Sequence, residues 1–201
     1  MLAWYSLPMN LSRNAAYLMK SKGGVSFLSA IEKDLDNVPF FGAVVTGEYD
    51  EWDDETYDEV SAPRSLVLGG KTWTRIGGGA DRVVYQCGRL VLKFPSGYME
   101  AEEDANEIEF YVYQKLIGNP VSRHFAPSVA LLYGYTNGPV LVSHFISKTR
   151  EQIVREQSKT GYLWDFLEMH LPESVEVGDL HSENYIGHTV IDYGRFYVRN
   201  W

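Results

Sequence analysis

A single lysine inside an apolar segment limits how this chain can fold. Lys93 lies within the segment 90–94, whose other residues are leucine, valine, leucine and phenylalanine, so the pattern predicts a buried strand. Burying an unpaired ammonium group is strongly unfavourable. The fold must therefore either bring an acid to Lys93 or place this strand at a sheet edge, where the side chain points outward into water.

The helix that follows this strand offers the acid. Apolar periodicity predicts a helix over about 99–117, which ends at a Gly-Asn-Pro sequence. Glu109 shares one face of this helix with Val112 and Leu116 by i+3 and i+7 spacing. Glu109 is therefore the first candidate to pair with Lys93, and Glu107 is the reserve candidate.

Upstream of Lys93, Gly69 and Gly70 predict a turn that joins strands 65–68 and 71–76 in a hairpin. A glycine-rich turn then connects the second of these strands to a predicted strand over 83–86. Its glycines are Gly77, Gly78 and Gly79. Glycine lets backbone N–H groups approach phosphate oxygens because no Cβ stands in the way, although many ordinary hairpins also have such a cluster. Arg82 could help to hold phosphates, whereas Asp81 would repel them unless it faces away.

Near the end of the sequence, two acids and an amide flank a short loop. Asp179 and Asn184 lie five residues apart, His181 lies between them, and Asp192 follows a short apolar strand. An acid that orients a hydroxyl, an amide that holds a cation and a second acid suit phosphoryl transfer, which depends on positioning and Mg²⁺. The simpler interpretation is a polar loop without a chemical role.

The glycine turn, the lysine strand, the glutamate helix and the polar loop follow one another in the order found in protein kinases, and together they resemble that family. The loop sequence Gly-Asp-Leu-His-x-x-Asn at 178–184 is more similar to the aminoglycoside phosphotransferase and lipopolysaccharide-kinase families. The resemblance covers about 65–194. It implies an α+β, protein-kinase-like fold with a five-stranded antiparallel small lobe, one helix in that lobe and a much reduced helical large lobe. The expected divisions are an N-terminal extension with two short helices (1–62), the small lobe (63–146) and the large lobe (147–201). Within the extension, we expect one helix over 14–20, which the glycines at 23–24 end, and a second over 26–32.

The resemblance also implies an ATP site. Lys93, held by Glu109, would contact the α- and β-phosphates, while the glycine turn and Arg82 would cover them. The adenine would lie against a hinge formed by His144, Phe145 and Ile146.

The resemblance further implies roles for the polar loop. Asp179 would orient the attacking hydroxyl and accept its proton, and His181 would neutralise charge on the γ-phosphate. Asn184 and Asp192 would bind Mg²⁺.

The expected activity is ATP- and Mg²⁺-dependent phosphoryl transfer to a protein or to the chain itself. The sequence ends seven residues after Gly194, so we expect a large lobe of two helices, 148–159 and 162–169, with no evident platform for a substrate. The alternative is a kinase-like binding module that engages a basic partner. Phosphorylation of a small molecule and nucleotidyl transfer also stay open.

The charge of the chain is concentrated in one segment. The stretch 48–59 contains eight acids and no Lys or Arg, and it interleaves them with Tyr49, Trp52 and Tyr57. Without these acids the net charge changes from −9 to −1, since 19 acids remain against 18 bases. The balance argues against direct nucleic-acid binding. The stretch is either a solvated loop or a surface that docks on a basic partner.

We expect a cytoplasmic protein. A compact kinase with an acidic insert would also suit a viral or bacterial effector inside a host cell. The single cysteine, Cys87, excludes an internal disulfide framework and a cysteine-based zinc site. The first 20 residues lack the pattern of a signal peptide. The uncharged run 124–147 is interrupted by proline and glycine, so no membrane span is expected. The pattern does not specify an oligomeric state.

Overall fold

The structure, a computed structural model, describes residues 22–39, 41, 62–78, 82–95, 105–118, 129–135, 138–145, 149–182, 184–186, 189–190, 192 and 196–199. The predicted helix over 14–20 and the acidic stretch 48–59 lie outside this set. The helices are α1 Lys22–Leu35, α2 Ala105–Gly118, α3 Arg150–Glu156 and α4 Thr160–His170, and a 3₁₀ turn, Gln157–Lys159, joins the last two. None of the helices in the described part of the chain is long and apolar enough to cross a membrane.

The main sheet is antiparallel throughout. Its strands are β1 Ser65–Leu68, β2 Lys71–Gly78, β3 Arg82–Cys87, β4 Leu90–Pro95, β5 Val129–Leu132 and β6 Val140–His144. They lie in the order β1-β2-β3-β4-β6-β5. Four two-residue strands follow: β7 Val175–Glu176, β8 Tyr185–Ile186, β9 Thr189–Val190 and β10 Tyr197–Val198. The fold is therefore α+β.

The predicted strand number of five was wrong, because the sheet has six strands. The strand beyond this count is β1, which was expected to form a hairpin with β2 and does so through the tight turn at Gly69 and Gly70. Both glycines have positive φ, a conformation that side chains with a Cβ rarely adopt. As a result, α2 lies between the fourth and fifth strands of the chain.

The helix α1 packs on the sheet and completes the first core. Leu28, Ile31 and Leu35 recur at helical spacing and are fully buried with Trp73 of β2. The second predicted helix, 26–32, is longer than expected, because the glycines at 23–24, which we expected to follow the end of the preceding helix, lie in the first turn of α1. Glycine weakens a helix by about 1 kcal/mol per residue, and the burial of three large side chains offsets this cost.

The helix α2 packs between two apolar regions and so joins the sheet to the C-terminal part of the chain. Phe110 and Tyr113 pack on Leu131 and Leu141 of the sheet. A second set of α2 side chains packs with α4 and the short strands; this set is Ile108, Val112 and Leu116. Any polar residue between these two faces of α2 is therefore shielded from water.

The C-terminal helices begin at Thr149, whose side chain and that of Gln152 form a reciprocal capping box. We expected Gly161 to separate two helices, which was wrong, because Gly161 lies in the first turn of α4. The interruption is instead the 3₁₀ turn before it. Leu163 and Leu167 of α4 are fully buried, and they fix this helix against α2.

Candidate active site

Lys93 lies on an interior strand and is paired with an acid. Its strand β4 hydrogen-bonds to β3 on one side and β6 on the other, so the edge-strand alternative was wrong. The Nζ atom donates to both carboxylate oxygens of Glu109, at 2.8 and 2.9 Å. Lys93 is 7% exposed and Glu109 is fully buried. The structure therefore selects Glu109, and not Glu107, as the partner.

Asn106 fixes the start of α2 over the sheet, a contact that the sequence did not suggest. Its Nδ2 atom donates to the backbone carbonyls of Lys93, at 2.8 Å, and Pro139, at 2.9 Å. Asn106 lies three residues before Glu109, so both side chains leave the same face of α2. The fully buried amide thereby fixes the position of α2 on the sheet, so that Glu109 lies next to Lys93.

Arg82 is the second cation of the site. In the β3–β4 register Val84 lies opposite Lys93 and Arg82 opposite Pro95, so Arg82 and Lys93 project from the same face of the sheet. The guanidinium donates to Glu109 Oε2 at 2.5 Å and to Asn106 Oδ1 at 3.4 Å. Its other terminal nitrogen donates to Asp192 Oδ1. Arg82 thus joins the sheet, the helix α2 and the segment after β9.

The electrostatics keep Arg82 charged. Burial lowers its pKa, but attraction by Asp192 and Glu109 and the hydrogen bonds to them outweigh that effect, so the pKa lies above its ordinary value. The resemblance to kinases implied that Arg82 contacts phosphates. In the structure the same guanidinium binds two carboxylates, and the phosphate contact stays a prediction.

The glycine turn is only partly described. Gly77 and Gly78 end β2, where they pair with Val84 and Val83 after a register shift, whereas Gly79 lies outside the described residues. Both described glycines are exposed. Among described atoms, none lies within 4 Å of a Cβ built on Gly77, so the described part of the chain does not block the approach to this backbone.

The polar loop presents its acid to solvent. Val177 and Leu180 are buried in the C-terminal core, whereas the side chains of Asp179 and His181 are 48% and 46% exposed. Asp179 Oδ2 lies 3.8 Å from His181 Nε2. The side chain of Asn184 donates to the backbone carbonyl of Asp179 at 2.8 Å. The two apolar residues and this amide hold the loop so that Asp179 faces outward.

Tyr185 anchors the end of the same loop. It is fully buried, and its hydroxyl donates to the carbonyl of Glu156 at 2.5 Å and lies 2.9 Å from Thr160 Oγ1. Its strand β8 pairs with β9, which leads to Asp192. The loop and Asp192 are therefore connected through one short hairpin.

The two predicted metal ligands have different partners in the structure. Asp192, whose side chain is 38% exposed, binds Arg82, and Asn184 binds the carbonyl of Asp179. One carboxylate and one amide oxygen suit Mg²⁺, which is held in proteins by few ligands and keeps several waters. The donor types therefore fit the ion, although Arg82 now binds the Asp192 carboxylate. Among the residues that the structure describes, no group of three or more His, Cys, Asp or Glu side chains is placed to hold a metal.

The predicted hinge begins at the end of β6. His144 pairs with Leu90 through its backbone, and the N–H of Phe145 donates to the carbonyl of Arg89 at 2.8 Å. The Phe145 side chain is exposed, and Ile146 lies outside the described residues. The hinge position of this segment stays a prediction.

Comparison with known proteins gives distant structural neighbours. No protein-family model matches the sequence, and no curated protein matches it. A crystal structure of WbdD with the kinase inhibitor LY294002 is 16% identical, has a TM-score of 0.38, and matches over 85% of this chain and 43% of that chain. A 2.2 Å crystal structure of WbdD is 16% identical, with a TM-score of 0.36 and coverage of 83% and 43%. This chain thus spans less than half the length of those it matches, and a likeness of this degree does not assign a family.

Proposed function

We propose that this chain has a protein-kinase-like fold and transfers the γ-phosphoryl group of ATP to a hydroxyl of a protein or of the chain itself. The observation that carries the proposal is the buried Lys93–Glu109 ion pair on an interior strand. Removing two charges from water costs about as much as their attraction returns. A buried ion pair is therefore a poor device for stability, and its position next to further charged groups favours a functional role.

The proposed binding of phosphates follows from the local geometry. Lys93 offers a compact cation whose orientation Glu109 and the sheet fix in advance. The described part of the chain does not block the approach to Gly77 at the end of β2, on the strand next to the one that carries Arg82. Phosphate oxygens that bind between Lys93 and Gly77 would contact a cation that is already positioned and an exposed backbone. These groups would therefore need little rearrangement on binding.

The proposed transfer uses the outward-facing acid. The hydroxyl oxygen of the substrate attacks the γ-phosphorus, the bond from that phosphorus to the β–γ bridging oxygen breaks, and Asp179 accepts the hydroxyl proton. His181, 3.8 Å from Asp179, lies where its charged form would attract phosphate. Asn184 orients Asp179 through the backbone. Mg²⁺, held by Asp192 and Asn184, would supply charge neutralisation on the phosphates.

A second function, a kinase-like binding module, has one observation in its favour. Arg82 binds the Asp192 carboxylate that the transfer reaction assigns to Mg²⁺. In that case the acidic aromatic stretch 48–59 would engage a basic partner. Deleting 48–59 distinguishes the two functions. A binding module should then no longer bind its partner, whereas a phosphotransferase need not lose phosphate transfer.

The test of the proposed activity is phosphate transfer from γ-labelled ATP. Wild-type protein should incorporate label into itself or into an added protein, and Asp179→Asn should lower the rate by about 10²–10⁴-fold, the usual effect of removing a general base. Asp165→Asn is the matched control, because Asp165 is an exposed acid on α4. Equal rates for wild type and Asp179→Asn would contradict the proposal.

A further inference from the structure

Arg82 links three separate parts of the fold through one guanidinium. It begins β3, donates to Asn106 and Glu109 of α2, and donates to Asp192 after β9. The residues it joins are 24, 27 and 110 positions away in sequence. Arg82 is itself only 7% exposed, so the contact to Asp192 is shielded from water on one side. Such a shielded, charged contact is stronger than an exposed ion pair.

The charges of this cluster balance. Arg82 and Lys93 supply two cations, and Glu109 and Asp192 supply two carboxylates. Both cations contact Glu109, and Arg82 also contacts Asp192. A divalent ion placed on the same carboxylate would bring a third cation next to Arg82. Because the positive charges of Arg82 and a divalent ion repel each other, the binding of either one to Asp192 weakens the binding of the other.

We propose that Arg82 is a positioning residue that holds Asp192 toward Glu109 as an internal counter-ion, and that a divalent cation binds Asp192 only by displacing it. The metal part of this inference rests on the proposed function, whereas the Arg82 bridge does not. Displacement frees one guanidinium edge while the edge on Glu109 can stay bonded. The freed edge is then available to phosphate oxygens, which gives Arg82 two successive partners.

Metal affinity tests the displacement, with Mn²⁺ alone as the probe. Binding is measured by electron paramagnetic resonance on wild type, Arg82→Gln and Asp192→Asn, without nucleotide. Arg82→Gln should bind Mn²⁺ more tightly than wild type by on the order of tenfold, within the range found when two binding events are energetically coupled. Asp192→Asn should abolish this binding in either background. Arg75→Gln is the control, because Arg75 lies on the neighbouring strand and donates to the Ala62 carbonyl.

The opposite results overturn the inference. Equal or weaker Mn²⁺ binding by folded Arg82→Gln means that Arg82 does not compete with metal. An equal gain in Arg75→Gln means that only general charge was measured. If Arg82→Gln does not fold, Arg82→Lys replaces it: one ammonium group cannot span both carboxylates, so it too should bind Mn²⁺ more tightly than wild type.

A second experiment tests the bridge without any metal. In a double-mutant cycle of Arg82→Gln and Asp192→Asn, monitored by urea unfolding, the two substitutions should be non-additive, because they remove opposite ends of one contact. Additive effects would contradict the bridge. Non-additivity with unchanged Mn²⁺ affinity would refute the displacement step. If both experiments give the expected results but wild-type protein transfers no phosphate from ATP, the proposed function is refuted and the inference about Arg82 stands.

Discussion

Replacing Glu109 by glutamine should destabilise the protein more than replacing its partner Lys93. Glu109 is fully buried and accepts from Lys93 at 2.8 and 2.9 Å and from Arg82 at 2.5 Å. A neutral amide leaves two buried cations without the carboxylate that both of them contact. Breaking a buried ion pair from one side costs about 3–5 kcal/mol. We expect Glu109→Gln to lower the free energy of unfolding by that amount.

Lys93→Met should cost less, because Glu109 keeps its contact with Arg82. The loss is one charge-assisted interaction, about 1.5–3 kcal/mol. The methionine fills part of the space that the lysine stem occupies. The difference between the two variants follows from the second cation, so it reports on Arg82 as well as on Lys93.

Urea unfolding followed by circular dichroism measures both values. Glu107→Gln is the matched control, since Glu107 lies on the same helix and is only half-buried. It should change stability by less than about 1 kcal/mol. Two results would contradict a second cation on Glu109. One is that Lys93→Met lowers the free energy of unfolding as much as Glu109→Gln, and the other is that Glu107→Gln lowers it most of the three.

Two further predictions concern the sheet and its first helix. Gly69 and Gly70 both have positive φ, but a Cβ on Gly69 would lie 2.9 Å from Ile31 Cγ1, so Gly69→Ala should lower the thermal midpoint by several degrees more than Gly70→Ala. Burial raises the pKa of Tyr85 and of Tyr135 to about 12 from 10.0. The neutral forms are therefore favoured in the folded state, and the stability they contribute, present below pH 10.0, should be lost as the pH rises to about 12. Denaturant unfolding of wild type and Tyr135→Phe across that range measures it, and an equal loss in both would contradict the assignment.

Local patterns predicted the pairing at the centre of the site. A lysine in an apolar strand requires a partner, and the helical face of Glu109 supplied it. The turn at Gly69 and Gly70 likewise predicted the first hairpin, which the structure confirms. These features depend on neighbours within one or two elements.

The contacts of Arg82 were not predicted because its partners are distant in sequence. Asp192 is 110 residues away, and nothing near Arg82 indicates it. One signal was available: Arg82 has the same parity as Val84, which faces Lys93, so strand alternation placed both cations on one face. Two cations facing one helix acid would have required a second acid.

Tertiary packing also decided several boundaries against local propensity. The glycines at 23–24 and Gly161 lie inside helices because the buried side chains of α1 and α4 outweigh the cost of glycine. The role of Asn184 in holding the Asp179 carbonyl is another contact that residue type alone does not specify. An amide can serve a metal or a backbone equally well.

The most direct test of the nucleotide site is thermal unfolding with ATP, in the presence and absence of Mg²⁺. Ligand at 100 times its Kd stabilises the native state by about 2.7 kcal/mol, which corresponds to a rise in Tm of roughly 5–10 °C for a chain of this size. Wild type should show this rise with ATP and Mg²⁺, and Lys93→Met should not. An unchanged Tm in wild type, or the same rise in Lys93→Met, would contradict the proposed nucleotide site.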